Sequence, residues 1–331
     1  MPVQFAVLAS GSKGNSTLVR GQGAGVLIDV GLGPRALGHR LTSVGASWSA
    51  VAAVILTHTH GDHVDTGSFA ELARRRVTVY CHEGHRAGLA EDPGFQRLEA
   101  AGLVSCYDDR PFLSGTGLRL EPIPLRHDAG PTFGFRIEVS AERRGRVVSL
   151  GYLADTGSWS EPMVETLVDV DVLGVEFNHD VAMQKASGRP RLLIARILGD
   201  QGHLSNGQGA ELVGAVLARS RPGALRYLVL LHLSQQCNRP RLALEAARTA
   251  VRAAGRRVVV HAARQDPAHP NLWITLGRRA GVAQGPHPAL GRGGVRPRDR
   301  ASPSASAGPA PVLTGLIAQD RDQDVQTGGA S

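Results

Sequence analysis

Directly after the apolar run 52–56 (AAVIL), the chain reads Thr57-His58-Thr59-His60-Gly61-Asp62-His63. Neutral imidazoles and a carboxylate are the ligands that zinc accepts at about 2 Å. A tight turn at a strand end lets the side chains of His58, His60, Asp62 and His63 converge on one small volume. Four ligand-type residues within six positions can hardly share one tetrahedral ion, so the spacing points to two neighbouring metals. A histidine-rich surface loop is the plain alternative. The chain has only 13 histidines in 331 residues, and three of them stand here beside Asp62.

A binuclear site needs further donors, and the chain offers them in similar settings. His127 follows the run LRLEPIPL, Asp155 follows VVSLGYLA, and His232 follows RYLVLL. Each falls just past an expected strand, where open α/β sheets hold functional residues. Alone, a strand-end histidine is more often structural. These three gain weight by recurring at strand ends in a chain that already carries the 57–63 turn.

Residues 1–277 alternate short β-branched or apolar runs with helical patterns. The patterning predicts strands over 3–9, 16–20, 26–29, 52–56, 77–81, 117–123, 132–139, 147–150, 170–175, 227–231 and 258–260, and helices over 34–44, 66–75, 191–198, 206–219 and 240–253. Strand-rich stretches joined by amphipathic helices favour a layered α/β domain. From residue 278 to 331 the chain turns rich in Gly, Pro, Ser and Ala and is expected to be a disordered tail. Its stretch 278–300 holds six arginines against one aspartate, a patch able to add nonspecific phosphate affinity.

Composition sets the outer limits. Hydrophobic residues make up 42%, which excludes a wholly disordered chain. No run of about eighteen apolar residues offers a membrane span, and the first residues lack the pattern of a secretion signal. Three cysteines (Cys81, Cys106, Cys237) with no CxxC pair suit the reducing cytoplasm. The net charge is +8, carried by 35 arginines and two lysines; it is compatible with a nucleic-acid partner and equally with a biased composition.

Four segments together resemble the metallo-β-lactamase fold hydrolases: THTHGDH, RHDAGPTFGFRI around His127, GYLADTG around Asp155, and LHLSQQCN around His232. The resemblance covers about residues 3–277 and implies a four-layer αββα sandwich with two central mixed sheets. It implies that His58, His60 and His127 hold one metal, that Asp62, His63 and His232 hold the second, and that Asp155 bridges both. The cofactor is then a pair of divalent ions, Zn2+ first and Mn2+ as the other option. Within the family, LASGSKGNSTLV, EFNHD and GDQGHLSN resemble the YycJ/WalJ (VicX)-type branch, related to ribonuclease Z. An exosite arm like that of the long ribonuclease Z enzymes, a β-CASP insertion and a glyoxalase II signature are all missing.

That branch implies a 5′→3′ DNA exonuclease, in which a metal-bridged hydroxide attacks phosphorus and Asp62 helps to orient it. His203 in GHLSN, held by Glu176, is the implied general acid, and the partner is nucleic acid, DNA ahead of RNA. The branch also implies a homodimer. Against this stand a hydrolase of a small phosphodiester, thioester or lactone on the same fold, and a non-catalytic regulatory module kept for its metal. The turn at Gly11 and Gly14, with Ser10, Ser12 and Asn15, is a candidate phosphate loop or simply a hairpin turn. His82 and His85 are expected on a solvated helix face.

Overall fold

A computed structural model describes residues 3–21, 23–140, 147–265, 273–276 and 281–283. The first part of the chain supplies strands β1 (Val3–Ala9), β2 (Ser16–Arg20), β3 (Gly25–Ile28), β4 (Val51–Ile55), β5 (Thr78–His82) and β6 (Val104–Tyr107). Helices α1 (Pro34–Ser43), α2 (Gly67–Arg75), α3 (Glu83–Leu89) and α4 (Pro93–Ala100) lie between them. The second part supplies β7 (Phe112–Leu113), β8 (Arg119–Leu125), β9 (Thr132–Ser140), β10 (Val147–Leu153), β11 (Val172–Glu176), β12 (Tyr227–Leu231) and β13 (Val259–Ala262). Its helices are α5 (Glu161–Leu167), α6 (Val181–Lys185), α7 (Arg191–Leu198), α8 (Asn206–Arg219) and α9 (Pro240–Ala253). Two last strands, β14 (Trp273–Leu276) and β15 (Gly281–Ala283), return to the first sheet, where β14 pairs with β1.

The strands form two mixed sheets, ordered β15-β14-β1-β2-β3-β4-β5-β6 and β13-β12-β11-β10-β9-β8-β7. Three apolar cores separate four layers. Phe5, Ile28, Phe135, Tyr152 and their neighbours fill the space between the sheets. Leu37, Leu41, Phe69, Leu72 and Phe95 seat α1, α2 and α4 on the outer face of the first sheet. Val164, Leu212, Val216, Ala247 and Val251 do the same for α5, α8 and α9 on the second. The expected four-layer αββα sandwich is thus the fold of the chain. Truncating a fully buried ring such as Phe135 to alanine costs about 3–5 kcal/mol.

Local chemistry explains the elements. The run YLVLL of β12 is buried throughout because β12 lies between two parallel neighbours, β11 and β13, and helices cover the outer face. Helix α9 opens with a proline in its first turn and buries Ala243, Ala247 and Val251 at spacing four. A capping box between Ser205 and Gln208 starts α8. The short helices α4 and α5 escape the sequence patterning, whose 3.6-residue signal needs more than two turns to stand out. β15 carries the first sheet past residue 277, where composition placed the end of the domain. The rest of the 278–331 segment lies outside the described residues.

Strand direction brings the candidate ligands to one edge of the sandwich. β3, β4, β5 and β6 run parallel, as do β10, β11, β12 and β13. Asp29 follows β3, the 57–63 turn follows β4, His127 follows β8, Asp155 follows β10, Glu176 ends β11, and His232 follows β12. All of them therefore leave the C-terminal edges of the two sheets. Among the described residues five non-glycines have positive φ, and three of these are Asp29 (63°), Asp155 (59°) and His232 (52°). A left-handed backbone bends the chain sharply off its strand at an energetic cost and gathers at functional sites.

Candidate metal centre

The 57–63 turn is held from below by Asp29. Its carboxylate accepts the Thr57 backbone N–H at 2.8 Å and the Thr57 hydroxyl at 2.9 Å, and His63 Nδ1 lies 2.7 Å away. Because the Thr57 hydroxyl donates to Asp29, it accepts from His58 Nδ1 at 2.9 Å. That chain of donors leaves His58 Nε2 as a lone pair. It is buried and has no hydrogen-bond partner, so its lone pair is free to be offered to an ion. His127 is set the same way: Nδ1 donates to the Gly202 carbonyl at 3.0 Å, and Nε2 turns toward His60 Nδ1 at 3.3 Å. Fixing one ring nitrogen so that the other is presented is how proteins orient metal ligands.

Backbone contact keeps the turn in place. Asn15 N–H donates to the Asp62 carbonyl at 2.7 Å and Val30 N–H to that of His63 at 2.9 Å. A Cβ on Gly31 would stand 1.8 Å from the Asp62 carbonyl oxygen, so only glycine allows this approach.

Among the described residues, three sets of side chains have donor atoms within 4.8 Å of one another: His58, His60 and His127; Asp62, His63, Asp155 and His232; and Asp155, Glu176, His203 and His232. Asp155 links them. Its Oδ2 lies 3.4 Å from His58 Nε2 and 2.7 Å from His63 Nε2, while Oδ1 lies 2.7 Å from His232 Nδ1. His232 Nε2 is 3.3 Å from Asp62 Oδ2. All seven residues expected to bind metal are therefore gathered in one place, and their donor chemistry, an orphaned imidazole nitrogen included, fits divalent ions.

Charge follows from burial and neighbours. Burial would lower the pKa of His63, but Asp155 and Asp29 outweigh it and hold the group up at about 10. His232 is likewise raised, against burial, by Asp155. Burial and the adjacent His63 push His58 well down. Asp155 is fully buried, which would raise it, yet His232 and His63 keep it well below the usual carboxylate range.

His203 Nδ1 is 2.8 Å from Glu176 Oε1, and the other oxygen of Glu176 accepts the backbone N–H groups of Thr156 (2.9 Å) and Leu204 (3.2 Å). The His203 ring stands 5.0 Å from that of His127 and 5.2 Å from that of His232, beside both donor sets. Burial opposes its charge, but Glu176 prevails and holds its pKa up at about 9.

Sequence reasoning missed Asp29. The signal was a carboxylate closing the apolar run VLID, a weak one, since its partners lie 28 and 34 positions away. The candidate phosphate loop has another use. Asn15 is fully buried, with its amide on the Gly11 and Asp62 carbonyls and 2.9 Å from His63 Nε2; Ser10 accepts the His232 N–H at 2.8 Å. Both brace the site, and Ser12 alone of the three is exposed. His82 and His85 are not a solvated pair either. His82 ends β5 and caps α3, and His85 is buried with Nε2 2.6 Å from the Pro131 carbonyl oxygen.

Comparison with known proteins agrees with this geometry. The chain is 26% identical over 248 residues to the exodeoxyribonuclease WalJ of Streptococcus pneumoniae serotype 2 (strain D39 / NCTC 7466), a match spanning 72% of this chain and 85% of that one. It is 27% identical over 244 residues to the exodeoxyribonuclease YycJ of Bacillus anthracis, spanning 73% and 87%. The metallo-β-lactamase fold protein YhfI from Bacillus subtilis superposes with a TM-score of 0.55 at 16% identity, over 80% of this chain and 97% of that one. Among the described residues no helix is long and apolar enough to cross a membrane. The family model described as the Beta-lactamase superfamily domain matches residues 25–232, and the chain belongs to the metallo-β-lactamase superfamily as a metal-dependent hydrolase.

Proposed function

We propose that the chain is a nuclease that uses two divalent ions, zinc foremost, to hydrolyse phosphodiester bonds from DNA 5′ ends. The observation that carries this reading is that Asp155, grouped with Asp62, His63 and His232, also lies 3.4 Å from His58 Nε2 of the His58, His60 and His127 set, with the Glu176–His203 pair alongside. The similarity to two exodeoxyribonucleases over most of their length supports the choice of DNA.

In this reading His58, His60 and His127 hold one ion, Asp62, His63 and His232 hold the other, and Asp155 serves both. When bound, the ions supply a water nucleophile at neutral pH and positive charge for the entering and leaving oxygens of an in-line displacement at phosphorus. Asp62, partly exposed at the rim, orients the attacking water. Glu176 holds His203 through Nδ1, which leaves Nε2 to pass a proton to the leaving oxygen. Asp29 and Thr57 keep the imidazoles of the turn in the tautomers the ions require.

The test is cleavage of 5′- and 3′-labelled single- and double-stranded DNA, and of RNA, by zinc- or manganese-loaded protein beside His60→Ala. Stepwise release of mononucleotides from DNA 5′ ends, lost in the variant, is the expected result. No cleavage of any polymer by a protein that holds two ions overturns the nuclease reading in favour of a small-substrate hydrolase.

A further inference from the structure

Next in sequence to His127 and His203, a cavity of about 390 Å³ is lined by Arg126, Asp128, Arg196, Gly199, Asp200 and Gln201. It is built from the two loops that carry His127 and His203: Arg126 and Asp128 bracket the first, and 199–201 lead into the second. The loops are tied by His127 Nδ1 donating to the Gly202 carbonyl, and the Gly157 N–H of the loop after β10 donates to the Arg126 carbonyl at 2.8 Å. Arg126 therefore has a fixed backbone and an exposed side chain.

The charges of this cavity are not all answered. Arg196 is ion-paired with Asp128. The guanidinium of Arg126 has no carboxylate or carbonyl partner among the described residues, and neither has the carboxylate of Asp200 a cation. A larger cavity, about 550 Å³, lies at the opposite ends of β10–β12, but there Arg221 is paired with Asp169 and Arg226 with Asp171. An uncommitted planar fork next to a ligand of the cluster is suited to bidentate contact with a phosphate.

We infer that Arg126 binds the strand phosphate adjacent to the scissile one, in a subsite walled by the Arg196–Asp128 pair. The inference rests on the nuclease reading above. Asp200 lines the same subsite and weakens its hold on an anion, so the two residues pull affinity in opposite directions.

The test is equilibrium binding of a short fluorescein-labelled DNA strand by anisotropy across a salt series, with EDTA present to stop cleavage. Arg126→Ala is expected to weaken binding about tenfold and to flatten the salt slope by about 0.7, the value of one single-strand phosphate contact. Arg126→Lys recovers the slope with part of the affinity, Asp200→Asn tightens binding a few-fold, and the distant Arg221→Ala leaves it unchanged. Metal content and melting temperature of each variant, measured alongside, match those of the wild type. Wild-type affinity and slope in Arg126→Ala overturn the subsite, as does weaker binding accompanied by lost metal or a lower melting temperature. If the metal-loaded wild type cleaves the strand and Arg126→Ala still binds it equally well, the subsite alone falls. If the wild type neither binds nor cleaves it, the nuclease reading falls and the subsite with it.

Discussion

The parallel group β10–β12 has carboxylates at or beyond both of its ends, Asp169 and Asp171 at one and Asp155 and Glu176 at the other, and the two ends balance them with different cations. At the N-terminal end Arg221 Nε lies 2.7 Å from Asp169 and Arg226 Nη2 2.8 Å from Asp171, while Arg136 donates to the Thr166 and Val168 carbonyls. Guanidinium groups do not give up their protons in proteins, so these cations stay charged and offer no lone pair to a metal. At the C-terminal end Asp155 and Glu176 face His63, His203 and His232. An imidazole can lose its proton and present a lone pair, so there the same negative charge can be answered by a divalent ion. The larger cavity is at the closed end, the donor sets are at the open one, and the identity of the cation rather than the size of the space tells them apart.

Substitutions can break or sharpen this contrast. On the proposed reading Asp155→Ala removes the carboxylate shared by both donor sets. Hydrolysis of bis-p-nitrophenyl phosphate should fall about a thousandfold or more, since several kcal/mol of charge stabilisation are at stake, and metal content should fall with it. His203→Ala should lower kcat by about 10²- to 10⁴-fold with metal retained; loss of metal in this variant would make His203 a ligand. For Asp29→Asn, which keeps the shape and removes the charge beneath His63, metal affinity should drop by about 10- to 100-fold in a competition titration with a chelator.

His179 offers a control from the same end of the sheet. It is 1% exposed, and neither ring nitrogen has a hydrogen-bond partner among the described residues. Burial pushes its pKa down to about 4, the reverse of His63. Between pH 6.5 and 4 the unfolded chain takes up a proton that the folded chain refuses, so the contribution is complete above pH 6.5 and is lost as pH falls to 4. The loss amounts to about 3 kcal/mol. It should show as a fall in the urea midpoint that His179→Gln reduces. The smallest effect belongs to the closed end: Arg221→Ala breaks an exposed pair and should cost only about 0.2–1 kcal/mol, with hydrolysis unchanged.

The histidine end of this contrast was largely legible in the sequence, the arginine end was not, and the limits were physical. The 57–63 turn, His127, Asp155 and His232 announced themselves because donor residues at strand ends are local patterns, and the long helices α8 and α9 because several turns repeat the same apolar face. Asp29 did not, since a carboxylate closing one strand acquires meaning only when another loop folds onto it. The work of Ser10 and Asn15 was hidden for the same reason: a Ser/Gly turn looks alike whether its polar atoms face a ligand or brace the neighbouring histidines. His85 was assigned to solvent because its burial depends on the loop at Pro131, 46 positions later.

The central claim is that these side chains form two metal positions sharing Asp155. Zinc content per chain, measured by mass spectrometry on wild-type and Asp155→Ala protein after reconstitution and desalting, tests it most directly. The account predicts two ions per wild-type chain and a clear deficit in the variant. One ion or none in the wild type, or two retained by Asp155→Ala, would contradict it.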